Sequence, residues 1–225
     1  MNNQHLTINK KLFIVFEGID SSGKSTQAEL LKKYFIESGE QAVISSEPSN
    51  GIIGNLIRQA LKQRIFFCRD RDLFDEQMAY LFAADRHDHL YNDIDGVFKL
   101  IKDNFHVIST RYYFSSLAYN CDTTEEFQFV SKLNDRFPNP DLTIYIDLPI
   151  EVSLARLKER SLQEIYETKA KLTKVREQYQ RIFANYSGKA MRADARLIAI
   201  DGNKDQQSIH QQIVQFIEEK YTDSV

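Results

Sequence analysis

Gly18-Ile-Asp-Ser-Ser-Gly23-Lys24-Ser25 sets two glycines, a lysine and a serine in the order G-x-x-x-x-G-K-[ST]. The apolar run Leu12–Phe16 precedes it, and the amphipathic stretch Lys24–Ser38 begins inside it. A strand entering a glycine-rich turn and a helix leaving it give that turn a physical use. The glycines let backbone N–H groups curl toward one point, where the helix adds the positive end of its dipole. That point suits a phosphate. Lys24 contributes a point charge and Ser25 a hydroxyl for the Mg²⁺ that accompanies ATP. Gly18, Asp20, Ser21, Ser22, Gly23, Lys24, Ser25 and Thr26 are therefore the expected ATP-binding set, with Lys24 also catalytic and Ser25 the metal ligand. The loop alone leaves the reaction open, because motors, GTPases, ATPases and kinases share it. A GTPase needs Asn-Lys-x-Asp after a later strand, where this chain instead has Ile-Tyr-Ile-Asp147-Leu-Pro149.

The rest of the chain continues the strand–helix alternation. Five short runs rich in Val, Ile and Phe read as strands: Leu12–Phe16, Gln41–Ser45, His106–Ser109, Leu142–Ile146 and Leu197–Ile200. Between them, helices are expected over Lys24–Ser38, Gly51–Gln63, Leu73–Asn104, Thr124–Phe137, Ile150–Arg160, Thr168–Ser187 and Asp205–Tyr221. The third of these is too long for one ordinary helix, and Asp95-Gly96 is the expected break. The pattern predicts an α/β fold with a five-stranded parallel sheet and helices on both faces. Residues 1–225 are expected to form one domain, with a flexible stretch over 1–11.

With 29 basic and 32 acidic residues the net charge is −3, and no sustained basic block occurs. That balance argues against a general binder of nucleic acid or of anionic membranes, and for small-molecule partners. Cys68 and Cys121 stand far apart, with neither zinc nor disulfide spacing, which fits a reduced cytoplasm. Met1–Lys11 lacks the apolar core of a signal peptide, and no run approaches a membrane span.

Four further segments carry chemistry: Ser46-Glu47-Pro48-Ser49-Asn50-Gly51, Leu81-Phe82-Ala83-Ala84-Asp85-Arg86, Thr110-Arg111-Tyr112-Tyr113-Phe114-Ser115-Ser116-Leu117-Ala118-Tyr119, and Tyr166-Glu167. Together with the phosphate loop, and with Pro140-Asp141-Leu142-Thr143-Ile-Tyr-Ile-Asp147, the sequence over about residues 12–190 resembles the thymidylate kinase family of nucleoside monophosphate kinases. A doubly charged acceptor phosphate needs guanidinium forks, and Arg86 and Arg111 both lie near the carboxyl edge of the expected sheet. The resemblance implies that Phe82 stacks on thymine, that Arg86 meets a base oxygen and that Ser116 bonds the base edge. It implies further that Tyr119 covers the 2′ face of the sugar, that Asp20 bonds the 3′-hydroxyl, and that Tyr166 belongs to the acceptor site. Arg156 then faces adenine and Arg111 is catalytic. On residue pattern alone, Phe82 reads equally as core and the arginines as surface ion pairs. The family also implies a homodimer.

Glu47 is a further catalytic candidate. In related deoxynucleoside kinases a glutamate in a comparable segment deprotonates a sugar hydroxyl, so it does not separate the two families. Two departures stand out. Thr110 occupies the position where the family has an aspartate that organises Mg²⁺, and Asp147 is either the compensating acid or a strand-end turn residue. The expected lid, about residues 160–167, carries no arginine after Arg160, and Ser21 and Ser22 stand where some relatives place one in the loop. Arg160 is then the remaining candidate charge donor for transfer, with a solvated arginine on the helix surface as the equal alternative. The leading expectation is ATP- and Mg²⁺-dependent conversion of dTMP to dTDP. Two alternatives stand beside it: a kinase for another deoxynucleoside or pyrimidine monophosphate, and a nucleotide-binding protein with weak kinase activity.

Overall fold

The structure, a computed structural model, describes residue 8 and residues 10–65, 67–158, 166–185 and 196–222. The five apolar runs form β1 (Phe13–Glu17), β2 (Ala42–Ile44), β3 (His106–Thr110), β4 (Leu142–Asp147) and β5 (Arg196–Asp201). They make one sheet in the order β2-β3-β1-β4-β5, with every pairing parallel. Helices α1 (Lys24–Glu37), α2 (Ile52–Leu61), α3 (Arg71–Tyr91), α4 (Val97–Lys102), α5 (Tyr113–Tyr119), α6 (Thr124–Asn134), α7 (Ile150–Lys158), α8 (Lys169–Asn185) and α9 (Gln206–Tyr221) cover both faces.

Alternate residues of a strand face opposite sides, and β1 shows why its sequence is apolar throughout. Phe13 and Val15 join the core shared with α2, α3, α5, α6, α7 and α8, whereas Ile14 and Phe16 join the core beneath α1 and α9. The chain runs from β1 out to β2, returns to β3, and then crosses to β4 on the other side of β1. The carboxyl end of β1 is thereby a topological switch point, where open α/β sheets bind ligands.

The expected break near Gly96 is present and begins earlier. After α3 ends, the Asn92 side chain accepts from the N–H groups of Ile94 and Asp95, both at 2.9 Å, and α4 starts at Val97. The helix α5 was not expected. Its residues are aromatic, serine-rich and almost all buried, so no helical periodicity marks it.

His106, at the start of β3, is wholly buried and stacked on Phe35 at 4.2 Å. Its Nδ1 accepts from the N–H of Leu12 at 3.2 Å, which requires an unprotonated nitrogen. Burial first, then the nearby Lys11 charge, pushes its pKa down to about 4, against the pull of Glu40. Below the usual histidine value near 6.5 the unfolded chain takes up a proton that the folded chain refuses. Stability is therefore expected to fall as pH drops from about 6.5 to 4 and to level off below that. His106→Asn, whose amide oxygen can replace Nδ1, should flatten this slope in melting curves taken across that range. An unchanged slope would acquit His106.

Candidate active site

The phosphate loop connects β1 to α1. Gly18 has φ +143°, and a Cβ there would stand 2.6 Å from the carbonyl oxygen of Ile146; Gly23 caps α1 at φ +98°. No side chain caps α1 and no acidic residue occupies its first turn, which leaves the helix dipole uncompensated toward the loop. The Lys24 ammonium curls over the loop and donates to the carbonyls of Gly18 at 2.9 Å and Ile19 at 2.7 Å. Every residue from Asp20 to Thr26 lines a cavity of about 510 Å³, with Gly18 setting the turn beneath. Arg156 and Glu167 line it too, and Arg156 Nη1 donates to the carbonyl of Ser21 at 3.0 Å. Gly202 and Lys204, from the turn between β5 and α9, complete one wall and had no motif to announce them.

A second, smaller cavity of about 180 Å³ adjoins the first. Asp20, Glu47, Phe82, Arg86, Arg111, Ser116, Tyr119 and Tyr166 all line it, so the acceptor residues expected from separate segments converge. Asp20 and Arg111 line both cavities. Arg111 follows β3 with φ +75°, a left-handed backbone uncommon for a side-chain-bearing residue, held by its N–H bond to the Phe16 carbonyl at 2.8 Å. Its guanidinium pairs with Asp20, lies 4.8 Å from the centre of the Tyr119 ring, and donates to the Tyr119 hydroxyl at 3.3 Å. The Tyr119 hydroxyl in turn donates to Asp20 at 3.0 Å. Burial alone would raise the Asp20 carboxyl, but the Arg111 and Lys24 charges outweigh it and hold Asp20 below the ordinary range.

Arg86 is only 1% exposed, on the inner face of α3. Its Nε and Nη2 donate to Glu47 Oε2 at 3.0 and 2.6 Å, Nη2 also reaches Ser116 Oγ at 3.3 Å, and Nη1 bonds Asn134. The guanidinium is flanked by the Tyr112 and Phe137 rings at 5.2 and 5.7 Å. Glu47 is thus committed to ion pairing, with Oε1 near His89 at 3.3 Å.

Several contributors escaped sequence reading. Asn120, next to Tyr119, lines the smaller cavity with its amide 5% exposed as a residue and neither amide atom hydrogen-bonded. A buried amide without partners is costly unless something else supplies them. Arg58 also lines this cavity and holds the turn after β2 through the Pro48 carbonyl at 2.6 Å. Glu17 ends β1 fully buried and accepts from the N–H groups of Tyr112 at 2.8 Å and Ser115 at 3.2 Å, and from the Ser115 and Tyr179 hydroxyls. It ties α5 to the sheet, and burial raises its carboxyl against those hydrogen bonds. Glu17 opens the E-G-x-D-x-x-G-K pattern of the phosphate loop and Arg58 and Asn120 stand close to other motif segments, but nothing local in the sequence signalled what their side chains do.

Thr110 lines the larger cavity and its hydroxyl donates to Ser46 Oγ at 2.9 Å. Asp147 is not the compensating acid: its oxygens accept from Arg176 Nε at 2.6 Å and Nη2 at 3.0 Å, and it lines neither cavity. Among the described residues no cluster of three or more His, Cys, Asp or Glu side chains could hold a metal on its own. The donor set, hydroxyls of Ser25 and Thr110 beside a phosphate cradle, fits Mg²⁺ that arrives with phosphates and keeps water ligands. Arg160 and most of the expected lid lie outside the described residues.

The family model for thymidylate kinase matches residues 16–213. A putative thymidylate kinase of Treponema pallidum is 35% identical over 208 residues, spanning 92% of this chain and 95% of that protein. A probable thymidylate kinase of Methanococcus aeolicus is 37% identical over 213 residues, spanning 92% and 96%. The solved thymidylate kinase of Candida albicans shares the fold with a TM-score of 0.71 at 23% identity, covering 93% of this chain and 92% of its own.

Proposed function

The chain belongs to the thymidylate kinase family and phosphorylates dTMP to dTDP; we propose that MgATP occupies the larger cavity, that dTMP occupies the smaller, and that the reacting groups meet at Asp20 and Arg111. The observation that carries this reading is that those two residues line both cavities.

The acceptor phosphate has its second pKa near 6, by analogy with phosphoserine, so at pH 7 it is largely a dianion and needs no strong base. One of its oxygens attacks the γ-phosphorus of ATP as the bond to the ADP oxygen breaks. The chain's part is alignment and charge. Lys24 and the α1 terminus hold the donor phosphates, Arg111 draws the acceptor phosphate toward them, and Ser25, backed by Thr110, would hold Mg²⁺. Bound magnesium neutralises charge on the phosphates. We assign Glu47 to holding Arg86 rather than to proton transfer, since both its oxygens are engaged. Phe82, Arg86 and Ser116 read the base, joined by the unpartnered amide of Asn120. Tyr119 closes the 2′ face, Asp20 takes the 3′-hydroxyl, Tyr166 closes the sugar side, and Arg156 faces adenine.

We further propose a homodimer, for which the apolar side chains that α3 exposes, Leu73, Tyr80 and Tyr91, offer a face to cover. Both cysteines are free, in keeping with a reducing compartment such as the cytoplasm, and no helix among the described residues is long and apolar enough to cross a membrane.

An ADP-release assay with dTMP, dUMP, dCMP, UMP and thymidine tests the acceptor assignment. The expected order has dTMP first, with UMP and thymidine poor. Tyr119→Ala should raise turnover of UMP relative to dTMP. An unchanged ratio removes Tyr119 from sugar selection, and ATP binding without acceptor-dependent ADP release would instead favour a nucleotide-binding protein.

A further inference from the structure

Behind the base-reading arginine and its partner Glu47 lie two polar residues, Ser45 and His89, that are not part of the acceptor cavity's lining. We propose that His89 is a positioning residue for base discrimination, fixing Glu47 and, through Glu47, the guanidinium of Arg86. The proposal rests on the assignment of Arg86 to the base.

Four of the five guanidinium N–H groups of Arg86 are spent on Glu47, Ser116 and Asn134, which leaves one on Nη1 for a ligand. Where that hydrogen points depends on Glu47, whose Oε2 takes two of the four. The other oxygen, Oε1, faces His89 Nδ1 at 3.3 Å. An ionised carboxylate only accepts, so Nδ1 carries the hydrogen and Nε2 is left to accept. Nε2 faces the Ser45 hydroxyl at 2.8 Å, which can donate. Ser45 is itself anchored to the sheet, its N–H bonded to the Ile108 carbonyl at 2.9 Å. The other carboxylate nearby, Asp85, is occupied by the Ser49 N–H at 2.7 Å and hydroxyl at 2.6 Å, so it does not compete for the ring. Each donor from Ser45 to Arg86 thus has one acceptor, and one tautomer of His89 satisfies the chain. His89 and Glu47 are 3% and 4% exposed, so water has little access to replace a missing link.

The consequence is specificity. The remaining Arg86 hydrogen suits an acceptor such as O4 of thymine and meets a donor, the 4-amino group, in cytosine. A donor held against a donor is rejected only as firmly as it is held.

The test compares His89→Leu, which removes both bonds, with His89→Asn, whose amide nitrogen can stand where Nδ1 stands. For each, kcat and KM are measured with dTMP and dCMP by ADP release, with melting curves alongside. His89→Leu should raise the KM for dTMP about tenfold, with kcat within about threefold, and lower the preference for dTMP over dCMP about tenfold. His89→Asn should restore preference and KM to within about threefold of the parent. Equal impairment of both variants, or a loss confined to kcat or Tm with preference unchanged, overturns the proposal. If His89→Leu does not fold, Ser45→Ala removes only the far end of the chain, and an unchanged preference there overturns it as well. A parent enzyme without preference for dTMP over dCMP would instead sink the assignment of Arg86 to the base.

Discussion

Lys24→Ala is expected to lower kcat/KM for dTMP by about a hundredfold to a thousandfold while changing Tm little. The ammonium is directed into the phosphate loop, where it bonds the Gly18 and Ile19 carbonyls. In a site that excludes water, a fixed charge aimed at the transferred phosphoryl group is worth far more than the same charge in solvent, and losing one such donor costs roughly two to three orders of magnitude. Lys24 itself lines the cavity, which admits water when no nucleotide fills it, so water can replace the ammonium and the fold loses little. ADP-release kinetics and a melting curve separate the two effects, and near-normal turnover would remove Lys24 from the mechanism. Lys24→Arg should not restore activity, because a planar fork does not replace a compact charge held against the loop.

The second large effect is thermodynamic as well as functional. Arg86→Leu strands Glu47 with His89 as its remaining partner in a site with almost no exposure. Breaking a buried ion pair from one side costs about 3–5 kcal/mol, which for a chain of this size lowers Tm by roughly 6–20 °C. Acceptor turnover should be lost at temperatures where the variant remains folded. Arg111→Leu provides the contrast. Its pair with Asp20 is more open, both side chains being 19% exposed, so stability should fall less although turnover falls as far. If the two arginine variants melt alike, the ranking of these ion pairs by burial is wrong.

The contrast also marks how far the sequence could be read. Local rules located β1, the glycine turn and α1, because the order of apolar run, glycines and amphipathic stretch needs no distant partner. They missed α5, whose helix is set by Glu17 bonding the N–H groups of Tyr112 and Ser115 from nearly a hundred residues away in sequence, and by burial on all sides. They also offered Asp147 as a magnesium ligand, whereas Arg176 on α8 holds it.

What the sequence by itself determined is therefore the α/β alternation, the phosphate loop and the set of segments that line the smaller cavity, since each is written in spacing over a few residues. Tertiary structure alone decided what those side chains do. Arg86 could as well have been a surface arginine, and it turns inward because Glu47, Ser116 and Asn134, brought together from one loop and two helices, satisfy four of its hydrogens out of water. Asp20 became shared between two cavities because parallel pairing of β1 with β3 sets Arg111 beside the loop. A buried charge is tolerable only where its partners converge, and convergence of residues distant in sequence is a property of the fold.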